Sequence, residues 1–394
     1  MAETYTAKWG IMATGGIATS FCKDILKDPS LRDTTGVNHR IVAVSSSNSA
    51  SRAADFIKKI EGPEDAKTYG SYAELVADPN VEIVYVATPH GHHFQNAMLA
   101  LQAGKHVLCE KALTVTAAQT KKLVQTAKEK NLFLMEAVWT RFFPLSIKIR
   151  ELITSGAIGD VHRTFADLSF GNVVDNGKLG FDDGTGKLST DDSHRMVNAD
   201  LAGGALLDLG IYSLTWVFQA LYHTQPEAEK EKPKVVAAMN IYDTGVDEST
   251  TIVCSFPKHR SQGIATTSLL VAHNPDEKGS AGPAIRIQGT KGEIQVIGNA
   301  FQPTGYKVIY KDQPGEVEVV ECPVPGGRGM AWEADECARC LRDGLKESKT
   351  IPLEESIVIM EVMDEALKQG GVKYPELIST DVYDANSPLN TGKH

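Results

Sequence analysis

The chain has 394 residues, of which 42% are hydrophobic and 23% charged, and its net charge is −10. This length exceeds one ordinary hydrophobic core and predicts two domains, while the acidic balance without a basic block disfavours nucleic acid and membrane partners. No secretory signal and no apolar run near the roughly 20 residues of a membrane span are visible, and six scattered cysteines are typical of reduced thiols, so we expect a cytoplasmic protein.

The first 140 residues alternate strand-like and helical patterns. Strands are predicted at 8–12, 41–45, 83–87, 106–110 and 132–137, and helices at 17–26, 51–60, 72–77, 93–103 and 117–130. The strands are continuous apolar runs, as in a sheet covered on both faces. This alternation predicts a Rossmann doubly wound parallel sheet, so residues 1–140 are interpreted as a dinucleotide-binding domain.

A turn of small residues follows the first predicted strand. Compared with G-x-G-x-x-G/A, its three positions are Ala13, Gly15 and Ala18, so the first glycine is an alanine. Small residues let the N–H groups of a helix N-terminus approach a pyrophosphate. The stretch by itself also fits an ordinary glycine-rich turn, but its place after the first strand favours cofactor binding. The residues concerned are Ala13, Thr14, Gly15, Gly16 and Ile17.

The end of the second strand indicates which cofactor binds. NAD-specific folds place Asp or Glu there for the ribose 2′-hydroxyl, but no carboxylate occurs here before Asp55. Hydroxyls, a helix N-terminus and an arginine suit the 2′-phosphate of NADP. The alternative is that Ser51 caps the helix and Arg52 is solvated. The predicted NADP-binding residues are Ser45, Ser46, Ser47 and Arg52.

The fifth strand ends at Glu110-Lys111, where carboxyl ends of parallel strands face the ligand crevice. A surface ion pair is the alternative for this pair. Histidines 90, 92 and 93 have no acidic or cysteine ligand at suitable spacing, so no metal site is predicted. His93 is instead expected near the nicotinamide or the sugar.

Residues 141–394 have a different pattern, which predicts an α+β domain with an open, mostly antiparallel sheet flanked by helices. A loop or lid is predicted at 171–194, and His194-Arg195 either reaches the sugar or anchors this loop. Helices are predicted at 145–154, 205–222, 332–343 and 353–369, and strands at 161–170, 235–241, 250–256, 263–271, 284–288, 293–297, 306–310 and 317–321. Cys337 and Cys340 are interpreted as packed thiols of one helix.

Asp208 interrupts the apolar helix 205–222, and Tyr212 follows four residues later on the same face. An unpaired buried carboxylate is costly, and an ammonium such as that of Lys111 favours a phenolate. These residues predict a proton-handling cluster. The alternative is a structural Asp208 beside a core Tyr212.

Several motifs together resemble the Gfo/Idh/MocA family of NAD(P)-dependent sugar oxidoreductases over nearly the whole chain. Within it, the chain is similar to the fungal NADP-dependent D-xylose 1-dehydrogenases and the dimeric dihydrodiol dehydrogenases. The motifs are the turn at 15–18, Thr88-Pro89-x-x-x-His93, Glu110-Lys111, the segment 136–142, the segment 203–212 and the tail 383–392.

The resemblance implies roles for particular residues. Lys111 matches the catalytic lysine, and Asp208 and Tyr212 match the acid–base partners. Thr88, Pro89, His93 and Glu110 are expected beside the cofactor. The chain departs from the family pattern at Ala112, where the motif has proline. The residues expected to line the mouth between cofactor and substrate are Trp139, Arg141 and Phe142.

The expected activity is that of an NADP-dependent aldose 1-dehydrogenase acting on a small-molecule sugar. It would oxidise the C1 hydroxyl of D-xylose, and of D-glucose as a second substrate, to the 1,5-lactone. The alternatives are a trans-dihydrodiol dehydrogenase, a reductase of 1,5-anhydrofructose or other dicarbonyl sugars, and a non-enzymatic NADP-sensing regulator. A homodimer is also expected from the resemblance.

Overall fold

The computed structural model describes residues 4–171, 180–181, 188–189 and 192–391. The chain divides into two compact units. The first combines Met1–Phe142, Val324–Ile357 and Glu376–His394, and the second combines Phe143–Pro323 and Val358–Pro375. The predicted division assigned all of 141–394 to one domain, whereas two C-terminal segments group with the N-terminal residues.

The first unit contains a parallel sheet with the strand order β3-β2-β1-β4-β5-β6. Its strands are β1 (Tyr5–Met12), β2 (Val37–Ser45), β3 (Lys67–Tyr69), β4 (Ile83–Val86), β5 (His106–Glu110) and β6 (Leu134–Ala137). The order reverses between β1 and β4, which is where doubly wound sheets bind ligands at their carboxyl ends. The predicted Rossmann sheet is confirmed, and β3 is an addition to it.

Helices connect these strands, and polar side chains define where three of them begin. The helices are α1 (Gly16–Ile25), α2 (Ala50–Lys59), α3 (Tyr72–Ala77), α4 (His93–Gln102) and α5 (Ala117–Glu129). Ser49 caps α2, Ser71 caps α3, and Thr116 with Gln119 forms a capping box at α5. These side chains accept N–H groups that have no partner within the helix.

The second unit contains an eight-stranded sheet ordered β10-β11-β12-β7-β13-β14-β15-β16. Every neighbouring pair is antiparallel except β12 and β7. Its strands are β7 (Val161–Ser169), β10 (Lys234–Ile241), β11 (Asp247–Phe256), β12 (Ser261–Ser268), β13 (Ile285–Gly289), β14 (Gly292–Asn299), β15 (Gln302–Tyr310) and β16 (Val317–Glu321). The unit also holds α6 (Pro144–Thr154), α7 (Ile211–Leu221) and the short pair β8 (Gly180–Phe181) and β9 (Leu188–Ser189).

All eleven residues of α7 are buried, and the helix packs against β7 and β12. The indole N–H of Trp216 donates to the carbonyl of Ala300 at 2.8 Å. The segment Ala199–Leu221 is long and apolar enough to span a membrane, which the sequence analysis did not anticipate, but 89% of its apolar window is buried within the protein. The segment therefore fits the core helix of a domain.

The C-terminal helices are α8 (Ala331–Arg342), α9 (Leu353–Gly370), α10 (Glu376–Ser379) and α11 (Pro388–Thr391). Hydrogen bonds explain why most of them group with the N-terminal residues. Asp335 of α8 accepts hydrogen bonds from Arg32 and Thr34, and the amide of Gln119 donates to the carbonyls of Ile378 and Thr380. Such contacts leave no periodicity in the sequence.

The loop predicted at 171–194 lies mostly outside the described residues. Only its first residue, the strands β8 and β9, and residues 192–194 are described.

Candidate functional site

The turn between β1 and α1 leaves the start of α1 open to an anion. Gly15 precedes the helix in an extended conformation, and no side chain caps α1. A Cβ added to Gly15 or Gly16 would meet nothing within 4 Å. Ala13 has φ +89°, in the left-handed region that favours glycine, so this alanine keeps the backbone of the glycine it replaces. The turn fits a pyrophosphate at the helix N-terminus.

Two buried hydroxyls lie at the carboxyl edge of the same sheet. Ser45 ends β2 with no exposed surface, and Thr88 follows β4 with 6% exposed. Neither hydroxyl has a hydrogen-bond partner within the described part of the chain. Buried polar groups normally have partners, so these two fit the polar groups of a bound dinucleotide.

The serines after β2 differ in their environments. Ser49, rather than Ser51, caps α2, because its Oγ accepts the N–H of Arg52 at 3.2 Å. The N–H of the buried Ser46 donates to the backbone carbonyl of Tyr69 at 3.2 Å. The Arg52 guanidinium is exposed in the first turn of α2 and has no ion pair or hydrogen bond among the described residues. It is therefore available to a phosphate.

The segment after β5 is fixed on both sides of Lys111. The hydroxyl of Tyr85 donates to Glu110, and the N–H of Lys111 lies 3.3 Å from the other Glu110 oxygen. The Lys111–Ala112 peptide bond is cis. The ring nitrogens of His93 lie 3.0 Å from the carbonyl of Ala112 and 3.1 Å from that of Thr88.

Burial lowers the pKa of His93 to about 4, so its ring is neutral near pH 7. A neutral ring donates one N–H, and both nitrogens already face backbone carbonyls. His93 therefore connects the segments after β4 and β5. This arrangement supports an indirect role in the cofactor site, through the position of its two neighbours.

Glu136, at the end of β6, holds the next residue of the Lys111 segment. Its Oε1 accepts the N–H of Leu113 at 2.9 Å, and its Oε2 accepts the hydroxyl of Ser356 at 2.6 Å. Burial raises the pKa of Glu136 to about 7. In the sequence, Glu136 belongs to the motif at 136–142, and no separate role for it was predicted.

The three residues expected to line the substrate mouth are buried. The fully buried guanidinium of Arg141 donates to the carboxylate of Glu355 and, at 2.6 Å, to the carbonyl of Thr350. These contacts give Arg141 a structural role, and its predicted contact with substrate stays a prediction. The roles of Trp139 and Phe142 stay predictions.

In the second unit, Asp208 lies in a π-helical turn, Leu206–Gly210, that leads into α7. The prediction had one continuous helix from 205 to 222. π-Helical turns are rare and often occur at functional sites. Asp208 is not an isolated buried carboxylate, because its Oδ2 lies 3.0 Å from the guanidinium of Arg195 and its side chain is 22% exposed.

Arg195 also faces Tyr212. The Asp208 carboxylate raises the pKa of Arg195, and Tyr212 contributes in the same direction. Tyr212 is buried in the first turn of α7, with its ring 6.0 Å from that of Phe301. A guanidinium beside a phenol favours the phenolate. Arg195 was predicted only to reach the sugar or anchor a loop, and neither its pairing with Asp208 nor the place of Phe301 leaves a signal in the sequence.

Other signals in the sequence have structural explanations. Among the described residues, no group of three or more His, Cys, Asp and Glu side chains could hold a metal ion. Cys337 and Cys340 are buried free thiols, which confirms that they are packed side chains.

Comparisons with known proteins match both units. Residues 7–138 match the GFO_IDH_MocA oxidoreductase family with its NAD-binding Rossmann fold, and residues 146–295 match the GFO/IDH/MocA C-terminal domain. The chain is 64% identical to D-xylose 1-dehydrogenase (NADP(+)) of Hypocrea jecorina, with 98% of each chain covered.

The chain is also 35% identical to trans-1,2-dihydrobenzene-1,2-diol dehydrogenase of Xenopus tropicalis, covering 93% of this chain and 99% of that one. Among solved structures, levoglucosan dehydrogenase in complex with NADH and levoglucosan has a TM-score of 0.74 at 17% identity. That match covers 93% of this chain and 97% of the other, and it shows a shared fold.

Proposed function

We propose, from the premise that this chain belongs to the GFO/IDH/MocA oxidoreductase family, that it is an NADP-dependent D-xylose 1-dehydrogenase. The carrying observation is the 64% identity to the Hypocrea jecorina enzyme over 98% of both chains. In the proposed reaction, D-xylopyranose loses the hydrogen on C1 as hydride and the hydroxyl proton. The products are D-xylono-1,5-lactone, NADPH and a proton.

NADP, when bound, supplies the hydride acceptor, and the protein supplies position and electrostatics. The open turn before α1 would hold the pyrophosphate through Ala13, Thr14, Gly15, Gly16 and Ile17. The serines after β2 and the exposed guanidinium of Arg52 would hold the 2′-phosphate. The remaining proposed cofactor residues are Thr88, Pro89, His93, Glu110 and Lys111.

Tyr212 is the proposed general base that takes the C1 hydroxyl proton. The guanidinium of Arg195 favours its phenolate, and Lys111 is the proposed catalytic lysine. Asp208 would fix the orientation of Arg195 through their 3.0 Å contact. Proton transfer then depends on the ionisation of Tyr212.

The substitution Tyr212→Phe tests this proposal, because it removes the base and keeps the ring. Turnover of D-xylose with NADP is expected to fall by about 100-fold or more, while the dissociation constant of NADPH, measured by fluorescence titration, stays near that of the wild type. Tyr222→Phe, at the end of the same helical segment, is the matched control. Wild-type turnover of Tyr212→Phe would remove Tyr212 from the mechanism.

A second candidate substrate class follows from the 35% identity to a trans-dihydrodiol dehydrogenase. Rates of NADP reduction with D-xylose, D-glucose and trans-1,2-dihydrobenzene-1,2-diol, each expressed as kcat/KM, separate the two. The proposal expects D-xylose to have the highest value. Zero turnover of all three with tight NADP binding would favour a non-enzymatic regulator instead.

We also propose that the chain works in the cytoplasm as a homodimer. All six cysteines are free, which suits a reducing compartment. In the eight-stranded sheet, α7 covers one face, where Thr164 and Ala265 are buried. The alternating positions on the other face include the half-buried Phe165, Ile264 and Val253. A second copy is the proposed occupant of this outer face.

A further inference from the structure

Asp247, the first residue of β11, is a fully buried carboxylate to which none of the roles above applies. Its Oδ2 accepts the N–H of Leu206 at 2.8 Å and the hydroxyl of Thr250 at 2.6 Å. Leu206 begins the π-helical turn that carries Asp208, and α7 with Tyr212 follows directly. The carboxylate therefore holds the backbone where the segment with both acid–base residues begins.

Two glycines, Gly203 and Gly204, precede this helical segment, and Gly204 lies against the Asp247 carboxylate. Gly204 has φ +120°, and a Cβ there would lie 2.3 Å from Oδ1 of Asp247. Only glycine adopts this conformation readily and allows so close an approach. The carbonyl of Gly203 accepts the hydroxyl of Tyr374 at 2.6 Å. The turn is therefore held by a carboxylate on one side and a tyrosine on the other.

The charge of Asp247 suits its place. The first N–H groups of a helix have no partner within the helix, and negative charge near them is stabilising. Burial nevertheless raises the pKa of Asp247 to about 6, and its Oδ1 has no hydrogen-bond partner within the described part of the chain. The group is thus buried at a cost, and its two accepted hydrogen bonds are what the protein gains from it.

We propose that Asp247, assisted by Tyr374, is a positioning residue for the reaction, because it fixes the start of the helical segment that carries Asp208 and then Tyr212. This inference rests on the proposed function, since it assigns the acid–base chemistry to those two residues. A displacement of about 1 Å at a reacting group can reduce a rate by about 100-fold. Loss of the hydrogen bond to Leu206 is therefore expected to act mainly on kcat.

The test compares Asp247→Ala with Asp247→Asn in the full chain. Asp247→Ala is expected to lower kcat for D-xylose by about 10- to 100-fold, with the KM for NADP within about twofold of wild type, because the proposed cofactor residues lie in the other unit. With C1-deuterated D-xylose, the isotope effect on kcat should rise. Asp247→Asn should restore most of kcat, because its amide oxygen accepts both hydrogen bonds.

Two results would overturn the inference. One is wild-type kcat and isotope effect in Asp247→Ala, and the other is an equal loss of kcat in the Asn and Ala variants. A purely structural role would lower the unfolding temperature and leave kcat per folded enzyme and the isotope effect unchanged. If Asp247→Ala does not fold, Tyr374→Phe carries the test, since it removes only the bond to Gly203, and unchanged kcat there contradicts the proposal.

Tyr212→Phe separates this inference from the proposed function. Loss of turnover in Tyr212→Phe together with a fully active Asp247→Ala would contradict only the role of Asp247. Full turnover in Tyr212→Phe would contradict the proposed function itself, whatever the Asp247 variants do.

Discussion

At the scale of single residues, Arg52 is the exposed side chain that is proposed to distinguish NADP from NAD. It lies in the first turn of α2 with no ion pair or hydrogen bond of its guanidinium among the described residues, while Ser49 satisfies the helix N-terminus. A guanidinium so placed can turn to a phosphate without breaking an ion pair or hydrogen bond to the described residues. The sequence predicted this residue because its clue, an arginine where a carboxylate would bind NAD, is local.

Replacement of Arg52 by alanine is expected to raise the KM for NADP by about tenfold, the effect of one lost hydrogen bond to a charged group. The KM for NAD should change little, because NAD has no 2′-phosphate. Steady-state rates with each cofactor measure both values. Lys59→Ala, at the last turn of α2, is the control, and equal effects of Arg52→Ala on both cofactors would contradict the 2′-phosphate contact.

Glu136 is a second residue whose chemistry the structure defines. Burial raises its pKa to about 7, well above the value of about 4.3 in an unfolded chain. The native state therefore binds a proton between these two values that the unfolded state does not, so this group makes stability decrease as pH rises from about 4 to about 7.

Glu136→Gln stays neutral and keeps an oxygen for the N–H of Leu113. Relative to wild type, its free energy of unfolding is therefore expected to be larger, and the variant more stable, at pH 8 than at pH 5. Urea denaturation at the two pH values measures this difference. The same difference at both pH values would show that the carboxyl group does not titrate in this range.

At the scale of elements, α8 is attached to the parallel sheet by one buried network. Asp335 accepts both Nε and a terminal nitrogen of Arg32 at 2.7 and 2.8 Å, and Thr34 and His39 complete its partners. Trp9 donates to the other ring nitrogen of His39 at 3.1 Å. Burial alone would raise the pKa of Asp335, but these hydrogen bonds outweigh it and hold that pKa well below its usual range.

Asp335→Asn is expected to cost about 3–5 kcal/mol at pH 7, because Arg32 stays buried without a countercharge. The stabilisation from Asp335 is present above the unfolded pKa of about 3.9 and decreases as pH falls below it. Urea denaturation measures the loss. Asp343→Asn, which breaks an exposed pair with Arg342, is the control and is expected to cost about 1 kcal/mol or less. An equal loss of stability in the two variants would contradict the proposed contribution of the Asp335 network.

The π-helical turn before α7 is the other element with a functional consequence. The spacing of Asp208 and Tyr212 predicted two side chains on one face of an α-helix. Their chemistry, a carboxylate and a phenol, predicted a proton-handling cluster. The extra residue of a π-turn has no sequence signature here. The hydrogen bonds at its start come from Asp247, 41 residues from Leu206 along the chain, and from Tyr374, 171 residues from Gly203.

For the whole molecule, the proposed dimer makes a direct prediction. Ile264→Glu places a charge on the outer face of the eight-stranded sheet, where burying it against a second copy is costly. Light scattering after size exclusion is expected to give the mass of a monomer for this variant and twice that mass for wild type. Leu31→Glu, at an exposed position of the first unit, should stay dimeric, and a dimeric Ile264→Glu would exclude this face.

The chain path is also a property of the whole molecule. The chain leaves the first unit after Phe142, returns at Val324, leaves again after Ile357 and returns at Glu376. Residues 1–142 without the returning segments would lack Asp335, Glu355 and Ser356, which are partners of Arg32, Arg141 and Glu136. A division made at residue 140 follows the change of pattern and misses these returns.

The sequence by itself determined most of the longer elements, the Rossmann sheet and the residue types proposed for the site. Periodicity, capping residues and turn glycines are local, so the strand 106–110 and the helix 72–77 were predicted with their observed bounds. Only the tertiary structure decided which side chains pair. In the structure, Arg141 pairs with the buried Glu355, Asp208 pairs with Arg195, and Asp247 accepts the N–H of Leu206. Long-range packing makes these choices, because the energy of a buried charge depends on its neighbours in space.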